Sequence, residues 1–308
     1  MQILGVRIDE VTKSQALEKA RDFLSSSQHN KIFTPNPEML VDAQKDADFK
    51  AVLNDSDLNL CDGFGLWLII KFRTRAAREV RNLSKNTDSK LQSPNVLQST
   101  ISPKDSSSSR LGRDSFGIIE RITGVDFMLD LCVLAEKEGK SIYLLGSDSD
   151  EVVKKTAQVL QDKFPMLRIV GYDKGPVICY LLSENNRQIA DIRYHDANEN
   201  VLYDIITKAP DILFVAFGHG KQEKWIAQNL RDLPSVKIAM GVGGAFDFIS
   251  GHVKRAPKFM RRIGLEWVWR LILQPCRVGR ILKATIVFLF MLYRTQISRI
   301  TRIRQDHG

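Results

Sequence analysis

Asp62 leaves an apolar stretch into a glycine turn, Cys61-Asp62-Gly63-Phe64-Gly65. A carboxylate in such a turn can take a proton from an attacking hydroxyl, the task of the general base in an inverting sugar transfer. Asp-Gly also forms turns for structural reasons alone. Thr34-Pro35-Asn36-Pro37-Glu38 offers a hydroxyl at Thr34 and an amide at Asn36 that suit sugar hydroxyls. Asn36 is equally a good helix cap, with Pro37 as the first helical residue. In Gly218-His219-Gly220-Lys221-Gln222-Glu223-Lys224-Trp225 the glycines let backbone amides approach a ligand, and the start of the next helix favours a diphosphate. His219 reads there as a loop residue rather than a base or ligand.

Three other patterns argue against alternatives. Gly241-Val242-Gly243-Gly244-Ala245-Phe246-Asp247 is not G-x-G-x-x-G, follows the last expected strand, and precedes no acidic residue in a further strand, so a nicotinamide cofactor is not expected. There is no Walker A sequence. D-x-D occurs at Asp55-Ser56-Asp57 and Asp148-Ser149-Asp150, a pairing that can hold a divalent ion. The second opens a helix, where acids complement the dipole, and the first precedes its strand, on the side away from a ligand crevice. Neither a metal nor any other cofactor is expected.

The elements that would position these residues follow from the apolar pattern. Lys31–Thr34, Leu58–Cys61, Ser141–Gly146, Arg168–Tyr172, Asp211–Phe217 and Val236–Gly241 read as strands, with helices over Pro37–Asn54 and Asp148–Lys163. Strands alternating with helices predict an α/β fold, a Rossmann-like parallel sheet with flanking helices. The loops at the carboxyl ends of such strands gather along one edge, where open α/β sheets bind ligands. Two stretches break the rhythm. Residues 73–120 contain ten serines and nine Lys/Arg with few large apolar residues, the composition of a disordered insertion. Val177–Tyr203 is polar for a core segment and reads as an enlarged surface loop or helix.

With 308 residues, 44% of them hydrophobic, the chain can bury a full core. Its four cysteines, Cys61, Cys132, Cys179 and Cys276, form no C-x-x-C pair, so buried reduced thiols are expected rather than a zinc ribbon or a disulfide framework. Residues Met1–Thr12 lack the pattern of a signal peptide, and a cytoplasmic setting is expected. The net charge of +9 is uneven: residues 252–308 hold thirteen Lys/Arg against Glu266 and Asp306, a local +11. From about Ala256, Phe259, Ile263, Trp267 and Leu271 alternate with Arg261, Arg262 and Arg270 at helical spacing, which predicts a basic amphipathic helix that lies on an anionic membrane. The following apolar run, Ala284–Tyr293, is ten residues, against about 20 for a spanning helix. Tail aromatics set within long apolar runs suit lipid better than stacked bases, so no nucleic-acid partner is expected. The chain divides into an α/β domain over 1–255 and a helical appendage over 256–308 that associates with the membrane at the inner face of the cell. Nothing in the sequence decides between a monomer and a homo-oligomer.

Taken in order, T-P-N-P-E at Thr34, D-G-F-G at Asp62, R-I-T-G-V-D at Arg121, the Ile142–Gly146 strand, G-x-x-K-Q-E-K-W at Gly218, G-V-G-G-A-F-D at Gly241, R-A-P at Arg255 and G-L-E-W at Gly264 resemble the WecG/TagA/CpsF glycosyltransferases. The resemblance covers most of the chain outside 73–120 and part of 177–203. It implies metal-independent, inverting transfer of N-acetylmannosamine or a related sugar from UDP to undecaprenyl-diphosphate-linked N-acetylglucosamine. By the same resemblance Asp62 is the base and Thr34 and Asn36 are sugar-pocket residues. Arg121, Gln222, Gly218, Lys221 and Gly243 then contact substrate, and Arg255, Arg261 and Arg262 are candidates for the diphosphate, whose charge grows as UDP leaves. Gly220 stands where the family often has proline. The alternative reading is a non-catalytic membrane-surface protein that binds a nucleotide or lipid.

Overall fold

The computed structural model describes residues 1–75, 120–147, 149–176, 180–182, 188–190, 192–275 and 278–295. An N-terminal hairpin, β1 (Gln2–Ile3) and β2 (Val6–Arg7), leads into helix α1 (Lys13–Ser25). Strand β3 (Asn30–Phe33) is followed by α2 (Pro37–Asp42) and α3 (Ala47–Asn54), then β4 (Leu58–Asn59) and a helix over 64–75, here α4. After α5 (Gly124–Lys137) come β5 (Ser141–Leu145), α6 (Asp150–Lys163) and β6 (Arg168–Asp173). A second hairpin, β7 (Tyr180–Leu182) with β8 (Gln188–Ala190), precedes α7 (Ile192–Lys208). Strand β9 (Ile212–Val215), α8 (Lys221–Asn229), β10 (Ile238–Gly241) and α9 (Ala245–Ile249) complete the α/β part. Three helices follow: α10 (Lys258–Arg262), α11 (Glu266–Leu273) and α12, which begins at Val278–Leu282 and runs through a π-turn at Lys283–Val287 to residue 295.

Six strands form one parallel sheet in the order β4-β3-β10-β9-β5-β6. Alternation along each strand divides the core in two. Ile142, Leu144, Ile212, Phe214, Ile238 and Met240 face the side covered by α1, α5, α6 and α9. Tyr143, Leu145, Leu213, Val215 and Ala239 face the side of α2, α3, α7 and α8. With both faces covered, the central strands are apolar throughout rather than alternating polar and apolar, as parallel sheets require. Gly171 of β6 serves this packing, since a Cβ there would lie 2.5 Å from the Tyr143 ring.

The expected strands are present, some shorter than their apolar runs. The helix expected over 37–54 is two helices, because Asp46 accepts from the Phe49 amide at 2.8 Å and starts α3 afresh. Part of the stretch read as surface structure joins the core: on α7, Val201 is buried, as is Ile205 just beyond the stretch, and Asn198 accepts from Trp225 Nε1 at 2.6 Å. The expected insertion lies outside the described residues except for 73–75 and 120, as do Cys179 and Cys276. Cys61 and Cys132 are buried free thiols.

Candidate active site

The carboxyl edge of the sheet gathers the loops after β3, β4, β9 and β10. Strand β4 ends at Asn59, directly before Leu60-Cys61-Asp62, and the Asp62 amide donates to the Pro35 carbonyl at 3.2 Å, holding the turn against the Thr34–Pro37 loop. The Ile122 amide donates to the Cys61 carbonyl at 3.1 Å, which lays Arg121 alongside. Asp62 is half-buried, and Gly63 N donates to its Oδ1 at 2.7 Å. Burial, followed by the like charge of Glu266, raises its carboxyl to about 6, against the pull of Arg270, the Gly63 amide and Arg121. A carboxylate so tuned is ionised at neutral pH yet basic enough to accept a proton.

Helices α10 and α11 lie against this turn. Gly264, between them, takes φ +80°, and a Cβ there would sit 2.2 Å from the Phe64 ring. Glu266 and Arg270 pair at 3.4 Å along α11. The Arg261 carbonyl accepts from Arg121 Nη2 at 2.6 Å. A cavity of about 360 Å³ opens here between Phe64, Trp67, Glu120, Arg121 and Arg262. Glu120 is turned to the Lys13 amide, 2.9 Å away, so the two guanidinium groups dominate the charge of the wall. Asp62 does not itself line this cavity; it sits beside it, within the field of Arg121.

The other residues singled out in the sequence fall into three groups. Thr34 is buried, and the backbone of Gly124 approaches so closely that a Cβ would come within 3.2 Å of its hydroxyl. Asn36 is the cap of α2, its Oδ1 accepting from the Met39 amide at 3.1 Å, so a sugar contact would fall to its Nδ2. Gln222 ties the two glycine loops together: its Oε1 accepts from Gly243 N at 2.8 Å and its Nε2 donates to Glu223 at 2.8 Å. Glu223 is fully buried, and burial raises its carboxyl despite hydrogen bonds from Gln222 and Gly220. The Gly220 amide donates to Glu223 at 2.7 Å, so this amide of the 218–222 loop is already engaged. Gly218 and Gly220 both have positive φ, +82° and +80°, and proline could not adopt the latter. Lys221 is exposed at the start of α8.

Of the three tail arginines, only Arg262 reaches the cavity. Arg255 forms a two-pronged ion pair with Asp126, 2.7 and 2.8 Å, and Arg261 lies 3.8 Å from the same carboxylate. Burial opposes ionisation of Asp126, but the bonds from Arg255 and Thr123 outweigh it and lower its pKa. Glu266, which raises the Asp62 carboxyl, has no role assigned to it by the sequence motifs. Its signal was being one of only two acids in the last 57 residues.

Among the described residues one group could gather metal-ligating atoms, Glu38, Asp42 and His219. Arg280 pairs with Glu38, and Lys283 with Asp42, so its charge is already matched. Asp55 and Asp57 meet Lys31 at the amino end of the sheet, and Asp150 pairs with Lys174.

A carboxylate of raised basicity beside guanidinium groups, at the carboxyl edge of a parallel sheet, is an arrangement able to move a sugar off a charged leaving group, and the comparisons put the chain among the glycosyltransferases. The chain belongs to the Glycosyl transferase WecG/TagA/CpsF family, whose pattern matches residues 1–95 and 108–302. It is 33% identical over 251 residues to the N-acetylglucosaminyldiphosphoundecaprenol N-acetyl-beta-D-mannosaminyltransferase of Bacillus subtilis (strain 168), covering 82% of this chain and 74% of that one. The protein of the same name from Bacillus spizizenii is 30% identical over the same shares. That from Staphylococcus aureus (strain NCTC 8325 / PS 47) is 25% identical over 96% of this chain and 93% of its own.

Proposed function

We propose that the protein transfers N-acetylmannosamine or a related sugar, with inversion, from UDP to N-acetylglucosamine carried on an undecaprenyl diphosphate, with Asp62 as base. The acceptor hydroxyl gives its proton to Asp62 as its oxygen attacks the anomeric carbon. The bond from that carbon to the UDP oxygen breaks, and the leaving diphosphate gathers charge that arginines can neutralise. The observation that carries this reading is the raised carboxyl of Asp62, at about 6, beside a cavity walled by Arg121 and Arg262. The 218–222 and 241–243 loops, joined by Gln222, supply the donor side. Arg255 and Arg261 act on the site through Asp126 and the Arg261 carbonyl rather than by direct contact.

The reading also puts the protein on the inner face of the cell membrane. Among the described residues no helix is long and apolar enough to cross a bilayer. Among the described residues, thirteen of the eighteen exposed large apolar side chains lie within 259–293, interspersed with Lys and Arg, a composition that suits an anionic lipid surface. The assay is incubation of the purified chain with a panel of UDP-sugars and a short-chain lipid-diphosphate N-acetylglucosamine, with and without chelator, and identification of the product by mass. A disaccharide product formed equally with chelator is expected; no transfer from any UDP-sugar would overturn the reading.

A further inference from the structure

The start of α12 meets the α/β part through a charged cluster that the reaction, as proposed, leaves unused. Arg280 Nε lies 2.8 Å from Glu38 Oε1, and its Nη2 lies 3.1 Å from Oε2. The same Nη2 is 3.0 Å from His219 Nδ1. His219 Nε2 in turn is 3.1 Å from Asp42 Oδ2, and Lys283 binds the other oxygen of Asp42. Guanidinium can only donate, so Nδ1 must accept, and the ring proton sits on Nε2, facing Asp42. The five groups therefore form one consistent network with His219 neutral. Burial of Asp42 works against its charge, yet the bonds from His219 and Lys283 leave its pKa lowered.

The cluster joins three segments. Glu38 lies two residues after Asn36, in the first turn of α2. His219 lies between Gly218 and Gly220, so its ring is the one side chain by which this tripeptide is held, to Asp42 and Arg280. Arg280 lies on a helix seated by Phe288 and Leu292, both buried in the core on the α2 side. A metal at this cluster would have to displace two cations already in place.

We propose that Arg280 is a positioning residue: by bridging Glu38 and His219 it holds the 218–222 loop in its donor-binding shape, so that nucleotide affinity depends on α12 being seated. This rests on assigning that loop to the UDP diphosphate. Lysine could not replace the arginine fully, because a point charge cannot serve the carboxylate in two-pronged fashion and the imidazole together.

The test uses the full chain: calorimetric titration with UDP, then steady-state kinetics with each substrate varied. Arg280→Ala is expected to raise the UDP Kd and the donor KM about tenfold, the scale of one charge-assisted bridge. kcat should stay within about threefold and the acceptor KM should not change. His219→Ala should match it, and the double variant should be no worse than either, the mark of a shared device. His219→Gln, whose amide can accept from Arg280 and donate to Asp42, should bind UDP nearly as wild type does. Retained UDP affinity in Arg280→Ala, or fully additive effects, overturns the positioning role. A wild-type chain that does not bind UDP overturns instead the donor-loop assignment beneath it.

Discussion

Asp62 owes its basicity to its surroundings, and those surroundings can be changed one charge at a time. After burial, Glu266 is the largest influence raising its carboxyl towards 6. Glu266→Gln removes that like charge and releases Arg270 from its pair, and both changes favour the ionised form of Asp62. The acid limb of kcat/KM, near pH 6 in the wild type, should then move to lower pH by roughly half to one pH unit, the scale of a single nearby charge. An unmoved limb in a pH-rate profile would show that Glu266 does not act on the base. Asp62 could be singled out in the sequence as an Asp-Gly turn after an apolar run, a pattern that also forms for structural reasons alone, and its role as base was an expectation from the family resemblance. Glu266 was not assigned, because only folding brings it near Asp62. Asn36 kept both of its readings until the structure showed its Oδ1 capping α2.

At the scale of elements, the apolar runs told which residues face the core but not which strands are neighbours. Period-2 alternation fixes a face, whereas β10 lies between β3 and β9 through pairings distant in the chain. The break between α2 and α3 was hidden for a related reason: Ala43-Gln44-Lys45-Asp46 contains no glycine or proline, and the stop comes from Asp46 capping the next helix while also binding Lys224 at 2.6 Å. The glycine loops look independent in sequence, but Gln222 makes them one unit. Gln222→Ala leaves the Gly243 amide and one oxygen of the buried Glu223 without these partners. It should lower the free energy of unfolding by about 1–3 kcal/mol, as unpaired buried polar groups do. Urea denaturation checks this, and an unchanged midpoint would mean that the loops are held by other contacts.

Across the whole molecule, the C-terminal helices have two kinds of surface. One side is fastened to the α/β part through Phe288, Leu292, Arg280 and the Gly264 turn; the other exposes apolar side chains such as Ile286 and Phe290, each 63% exposed. Replacing both Ile286 and Phe290 by Asp should leave the melting temperature unchanged and abolish flotation with vesicles rich in anionic lipid. Flotation equal to wild type would place the lipid contact elsewhere. The basic, apolar character of this tail was plain from composition, whereas its place beside the site was expected only through the family resemblance; Gly264 passing over Phe64 is the contact that brings it there, and no composition could show that. The central claim remains that Asp62 accepts the acceptor's proton. Because burial raises its carboxyl from 3.8 to about 6, the folded state binds more protons than the unfolded one between those values, and stability falls as pH rises through them. Removing the charge therefore should not weaken the fold at neutral pH. The direct measurement is single-turnover transfer by Asp62→Asn beside its unfolding curve: the expected result is a variant at least as stable as wild type whose transfer rate is lower by about two to four orders of magnitude. A stable variant that transfers sugar at close to the wild-type rate would contradict the account.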